Sequence, residues 1–166
     1  MTTSLDLIAR LRETIGVKRG PTSWRTVTQA DIDAFAQVSG DHYWIHTDVE
    51  RARRESPFGN TIAHGNLTLS MIDGMREEIP ARDPAGLDAL VIAINMGWNR
   101  VRFPAPVPAG SRVRAIAELV SVEEKGGGWW EVVDRFTVEV EGAEKPACVA
   151  DSVGRILLRA GTRVRS

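Results

Sequence analysis

The sequence predicts an α+β fold in which one long helix is wrapped by an antiparallel β-sheet. The first observation is a helical stripe. Leu67, Met71, Ile72, Met75 and Ile79 recur at three- to four-residue spacing, between a start near His64-Gly65 and a stop at Pro80. The second is alternation. Val113, Ala115, Ala117 and Leu119 alternate with Arg112, Arg114, Ile116 and Glu118; Trp130, Val132, Asp134, Phe136, Val138 and Val140 alternate with residues such as Glu131, Arg135 and Glu139. That period of two belongs to strands with one buried face. The third is turn chemistry: residues 125–128 and 141–144 are glycine-containing and short, as antiparallel hairpins require.

Residues 4–16 read as a short amphipathic helix, an N-terminal extension capped by Ser4 and closed by Gly16, with Leu5, Leu7, Ile8, Leu11 and Ile15 on its apolar side. Residues 24–27 are extended. Thr28-Gln29-Ala30-Asp31 resembles a capping box with Asp in place of Glu. The helix it opens buries Ile32, Phe35 and Ala36, with Val38 as a further candidate, and stops at Gly40. Asp41 then falls just past a helix end, and Tyr43-Trp44-Ile45 reads as loop. A second short helix covers about 48–55, ended by Pro57 and Gly59. The long helix follows over about 64–79, and sixteen residues would span roughly 24 Å. Thr68 and Asp73 fall off its stripe. Residues 90–96 and 147–158 are strand runs, and Pro104, Pro106 and Pro108 mark a stiff connection. No linker, repeat or low-complexity tract divides the chain, so residues 1–166 are expected to form one domain.

Composition narrows the function classes. With 21 Lys and Arg against 22 Asp and Glu, the formal net charge is -1, and no whole-chain field favours nucleic acid or an anionic membrane. The first twenty residues carry Asp6, Arg10, Arg12 and Glu13 and lack the apolar core of a signal peptide. No run approaches the ~18 apolar residues a membrane helix needs. A cytoplasmic location follows by elimination. Cys148 is the single cysteine, so neither an intramolecular disulfide nor a multi-cysteine zinc site can form.

The chemistry-bearing residues cluster. All three histidines, His42, His46 and His64, lie within 23 positions, beside Asp41 and Asp48. Histidine suits proton transfer near neutral pH, and a carboxylate paired with it makes an acid/base couple. Asp41 and His46, five positions apart, can aim at one water molecule from irregular backbone. Equally, Asp41 can cap the next turn and His46 can be a half-buried polar residue. His42, His46 and Asp48 could supply metal ligands, but they lie in a loop and no metal is expected. Gly65 opens the long helix, where unpaired N–H groups and the positive end of the macrodipole can hold a developing oxyanion; it can also serve only to permit a tight turn. Asp73 reads as a helix-surface carboxylate. Arg100, Arg102, Arg112 and Arg114 read mainly as solvated strand-face residues that could also hold phosphates. Trp129, Trp130, Met71, Met75 and Met96 read as packing.

At this point two segments matter together: Gly40-Asp41-x-x-x-Ile45-His46-x-Asp48 and Phe58-Gly59-x-x-Ile62-Ala63-His64-Gly65. In this order and separation they resemble the hydratase motif of MaoC-like dehydratases, a family that includes (R)-specific enoyl-CoA hydratases. With Asn99-Arg100-Val101-Arg102-Phe103-Pro104, they look closest to its NodN-like single-domain branch. The resemblance covers roughly residues 22 to 158. It implies a hotdog fold, normally a homodimer. It implies that Asp41 and His46 bind and activate water, and that the backbone N–H of Gly65 supports the thioester oxygen. The substrate would be a trans-2-enoyl thioester of coenzyme A or acyl carrier protein, the product an (R)-3-hydroxyacyl thioester, with no cofactor. Tyr43-Trp44 stands where the wider family has Asn-Pro. Two alternatives stay open: a hotdog thioesterase using Asp73, and an acyl-thioester binding protein with little catalysis, suggested by Tyr43.

Overall fold

The computed structural model describes residues 4–159. Helix α1 (Ser4–Glu13) leads into two short strands, β1 (Lys18–Arg19) and β2 (Arg25–Thr26). Three helices follow, α2 (Gln29–Ser39), α3 (Trp44–Thr47) and α4 (Val49–Glu55). Then comes the central helix α5 (Gly65–Met75), extended by a 3-10 turn at Arg76–Glu78. The long strands are β3 (Leu90–Arg102), β4 (Arg112–Gly126), β5 (Trp129–Val140) and β6 (Cys148–Leu158). All belong to one six-stranded sheet in the order β1-β4-β5-β6-β3, with β2 also on β4 and every strand pair antiparallel. Among the described residues, no helix is long and apolar enough to cross a membrane.

The main core lies between α5 and one face of the sheet. Ile72 and Met75 are fully buried there against Val113, Ala115, Ala117, Phe136, Val138 and Ala150. This is the hotdog arrangement of a helix wrapped by a sheet. Small residues on β4 and β6 let the backbone of the sheet come close to the helix, and Phe136 fills the remaining depth. A second cluster joins Leu7, Ile8 and Leu11 of α1 to Leu119, Val122, Trp130 and Leu158. The N-terminal helix thus covers the part of the same sheet face that α5 does not reach; the side chains of Ser4 and Leu5 lie outside the described residues.

Several sequence expectations are corrected. Helix α5 spans 11 residues and finishes in 3-10 geometry rather than running to Ile79. Its buried face is Thr68, Ile72 and Met75, while Leu67 and Met71 are only partly buried. Thr68 can face the core because its hydroxyl reaches the His64 carbonyl of the preceding turn. Val38 is 88% exposed, beyond the last buried turn of α2. Met96 and Ile15 are also exposed. Only β4, β5 and β6 form a meander; the proline-rich connection after β3 carries the chain across, so that β3 sits outside β6. Strand β5 is interior, paired with both β4 and β6, and β3 takes the outer position.

One contact ties the β1–β2 region to the end of the central helix. The Glu78 carboxylate accepts from the Ser23 amide (2.9 Å), the Ser23 hydroxyl (2.6 Å) and the Arg25 guanidinium (2.6 Å). The Ser23 hydroxyl, then Arg25, hold its pKa down, from 4.5 to about 2. A carboxylate with a depressed folded pKa stabilises the fold above its unfolded pKa and loses that contribution as pH falls through the folded value. Between pH 4.5 and about 2 the urea midpoint of Glu78→Gln should therefore fall less steeply than that of the parent chain. Parallel curves would show that the contact adds nothing.

Candidate active site

The site is built where α2 ends and α5 begins. Thr28 and Asp31 form the expected capping box at the start of α2. At its other end Gly40 adopts φ 77°, the left-handed conformation glycine tolerates, and its N–H closes onto the Ala36 carbonyl. The chain thereby turns sharply at Asp41. The Asp41 N–H donates to Ser39 Oγ (3.3 Å), and the Tyr43 N–H donates to Asp41 Oδ1 (3.2 Å). The carboxylate is thus oriented by a local turn, with Tyr43, a residue 59% exposed, contributing through its backbone. The loop expected at 43–45 becomes the single-turn helix α3, and His46 lies within it. Asp48 caps α4 by accepting from the Arg51 N–H (2.9 Å), so it serves structure, and His42 is exposed.

His46 is clamped to the segment that leads into α5. Its Nδ1 lies 2.7 Å from the Ile62 carbonyl, and the Ile62 N–H donates to the Ile45 carbonyl at 3.1 Å. Gln29 locks the same junction from α2: its amide donates to the His46 carbonyl (2.8 Å) and accepts from the buried Thr61 hydroxyl (2.5 Å). A carbonyl oxygen can only accept, so Nδ1 of His46 carries the proton and Nε2 is left to face the site. The same reasoning applies to His64, whose Nε2 lies 2.9 Å from the Asp41 carbonyl and therefore donates. His64 is 3% exposed, and its ring stacks on His46 with centroids 3.8 Å apart and planes at 28°. The Phe35 ring packs against the His64 ring at a tilt, with centroids 5.1 Å apart.

The structure thus brings Asp41 and His46 together and adds His64: ligand-capable atoms of the three lie within 4.8 Å of one another. His64 was named in the sequence without a role. Its place directly before Gly65, in the segment that carries the family resemblance, was the available signal; nothing in the spacing foretells a stacked pair. In the stacked pair, one nitrogen of each ring is already held by a carbonyl. The arrangement suits a small polar molecule held between the carboxylate and His46.

Gly65 is the first residue of α5, and its N-cap His64 offers no side-chain hydrogen bond to the helix start. The first N–H groups of the helix therefore lack intrahelical partners and carry the positive end of its dipole. The backbone at Gly65 is not in the left-handed region, so a tight turn does not explain the glycine. Space does. A Cβ there would lie 2.7 to 2.9 Å from the ring of Phe103. Phe103, part of the segment that carries the resemblance but without an expected role, is 43% exposed and lies over the helix start.

Other candidates fall outside this group. Asp73 is 57% exposed and faces Arg76 at 3.5 Å. Arg112 pairs with Glu141 and Arg114 with Glu139, as strand-face residues do. Cys148 is fully buried, and that burial pushes its thiol up to about 11, where it is a poor nucleophile.

Comparison with known proteins shows the family to which the chain belongs. The model of the MaoC like domain matches residues 10–140. A 3-hydroxyacyl-thioester dehydratase Z from Mycobacterium tuberculosis is 46% identical over 152 residues, covering 92% of this chain and 97% of that protein. Nodulation protein N from Rhizobium leguminosarum bv. viciae is 39% identical over 147 residues, covering 87% of each. Among solved structures, the (R)-hydratase of A. caviae superposes with a TM-score of 0.61 at 23% identity, covering 87% of this chain and 96% of that one, which is a likeness of fold. The motifs around Asp41-His46 and His64-Gly65, the helix-in-sheet fold and the matched length together make this chain a member of the MaoC-like dehydratase family.

Proposed function

We propose that the chain hydrates trans-2-enoyl-CoA to (R)-3-hydroxyacyl-CoA, and dehydrates it in reverse. The observation that supports this best is the junction just described: the Asp41 carboxylate and the unblocked Nε2 of His46 beside the start of α5. Water bound between them gives one proton to Asp41 while its oxygen forms a bond to C3. The C2=C3 electron pair moves toward the thioester carbonyl, and the negative charge on that oxygen is met by the Gly65 N–H. His46 holds the water through Nε2, and the proton taken up by Asp41 is the one returned to C2, which leaves both groups as they began. Atoms balance as one water added, with no redox step and no cofactor in this route. His64 acts as a positioning residue: its ring supports the face of His46, and its N–H fixes the Asp41 carbonyl.

The hydrolytic alternative has less support, because Asp73 is exposed and faces Arg76 rather than a histidine. Crotonyl-CoA separates the readings. The hydratase reading predicts loss of the enoyl absorbance with no release of free thiol, unchanged by Asp73→Asn. Thiol release that Asp73→Asn abolishes would replace it with a thioesterase, and tight binding without either reaction would leave a binding protein.

A homodimer is part of the proposal. Strand β3 is the outer strand of the sheet, and residues 91–96 are exposed on both faces, including Val91, Ile92, Ile94 and Met96. A long apolar edge with unpaired backbone groups invites another strand. A second copy, related by a twofold axis, supplies one of matching length. Sedimentation at micromolar concentration should give twice the mass of a chain, and Ile94→Lys should shift it toward the monomer. A parent chain sedimenting as a monomer would remove the claim.

A further inference from the structure

Helix α3 carries His46, yet little of its own holds it in place. It is a single turn of four residues, with no buried residue and no side-chain hydrogen bond at its N-cap Tyr43. A turn of that length is not stable by itself, so bonds to neighbouring segments must position it. The segment beside it, residues 61–63, is anchored on its far side. There the Ala63 N–H donates to the Val107 carbonyl (2.8 Å) and the Ala109 N–H to the Thr61 carbonyl (2.9 Å).

Gln29 joins the anchored segment to the weak turn. It is the first residue of α2, directly after Thr28, so the Thr28-Asp31 capping box fixes its backbone. Its Nε2 gives one hydrogen to the His46 carbonyl (2.8 Å) and the other to the Asp33 carboxylate (2.7 Å). Its Oε1 accepts from the hydroxyl of Thr61, a fully buried residue, at 2.5 Å. Two acceptors beside the amide nitrogen and a hydroxyl beside its oxygen leave one orientation for the group. The bridge therefore runs from the backbone of His46 to residue 61, next to the Ile62 carbonyl that lies 2.7 Å from His46 Nδ1. That last bond decides what His46 can do. While Nδ1–H donates to it, Nε2 keeps a lone pair. If α3 drifts from residue 62, the bond is lost and the proton is free to move to Nε2, which can then no longer accept from water.

We infer that Gln29 is a positioning residue that keeps His46 in its Nδ1–H form, by holding α3 at bonding distance from Ile62. Its effect on turnover rests on the hydratase reading; its effect on the ring proton does not. Nitrogen NMR of the full chain labelled at histidine tests it, since the two ring nitrogens report which of them carries hydrogen. In the parent, His46 should be protonated on Nδ1 and His64 on Nε2. In Gln29→Leu, His46 should lose the Nδ1–H form while His64 keeps its own. Turnover of crotonyl-CoA should fall by at least about tenfold with KM little changed, the mark of lost positioning. Thr61→Val should act in the same way and add little to Gln29→Leu, and Thr61→Ser, which keeps the hydroxyl, should restore the parent behaviour. Should the buried Thr61→Val chain fail to fold, the half-buried Gln29 decides the matter. His46 keeping its Nδ1–H form in Gln29→Leu would overturn the inference, whatever the turnover. So would a simultaneous change at His64, which would mean general loosening, or parent-like turnover in a chain whose His46 has lost that form. A parent chain that does not hydrate crotonyl-CoA would remove the reaction proposed above and leave the ring proton to decide the role of Gln29.

Discussion

Asp41→Asn and His46→Gln should each lower crotonyl-CoA turnover by about 10²–10⁴-fold, the usual scale of a positioned acid/base group. Neither change should unfold the chain. The Asp41 side chain is 55% exposed, and Asn keeps the oxygen that accepts the Tyr43 N–H. His46 is half-buried, and Gln at that position retains a polar side chain of similar reach. The double variant should lose little more than the worse single one, because both groups act on one water. Circular dichroism and thermal midpoints separate loss of chemistry from loss of fold. Near-normal turnover in either single variant would remove that residue from the mechanism.

The second large effect concerns the donor at Gly65, and the local geometry allows it to be deleted by itself. Proline is tolerated at the first position of a helix, where its missing N–H has no intrahelical partner. The residue before a proline must be extended, and His64 already has φ -59° and ψ 139°. The obstacle is the Phe103 ring, so the comparison belongs in a Phe103→Ala background. There, Gly65→Ala keeps the N–H and should retain most of the background turnover. Gly65→Pro removes it and should lose a further 10²–10³-fold, or about 3–4 kcal/mol of transition-state stabilisation. Equal turnover in the two variants would mean that some other group carries the oxyanion.

The fold was legible because its signals are local and repeated. Alternation along β4 and β5, the glycine turns and the Thr28-Asp31 capping box each state a preference that the tertiary structure obeys. The orientation of α5 was less legible. Thr68 looks polar in sequence, yet its hydroxyl finds a carbonyl on its own helix and the side chain turns inward. The strand order was not legible either, since β3 joins β6 rather than its successor, and no local pattern encodes that choice. In the site, Asp41, His46 and Gly65 could be named from the motif, and the structure brings Asp41 and His46 together. The stacking of His64 on His46 and the approach of Phe103 to Gly65 could not. Both are contacts between segments apart in sequence: the first depends on how α3 packs against the segment leading into α5, the second on where β3 ends relative to the start of α5.

The central claim is that Asp41 and His46 add water to one face of an enoyl thioester. The most direct measurement is the configuration of the product. Crotonyl-CoA incubated with the parent chain should give (R)-3-hydroxybutyryl-CoA with the thioester intact, and His46→Gln should form it at a rate lower by two orders of magnitude or more. An (S) or racemic product, a free thiol, or unaltered crotonyl-CoA would contradict the account.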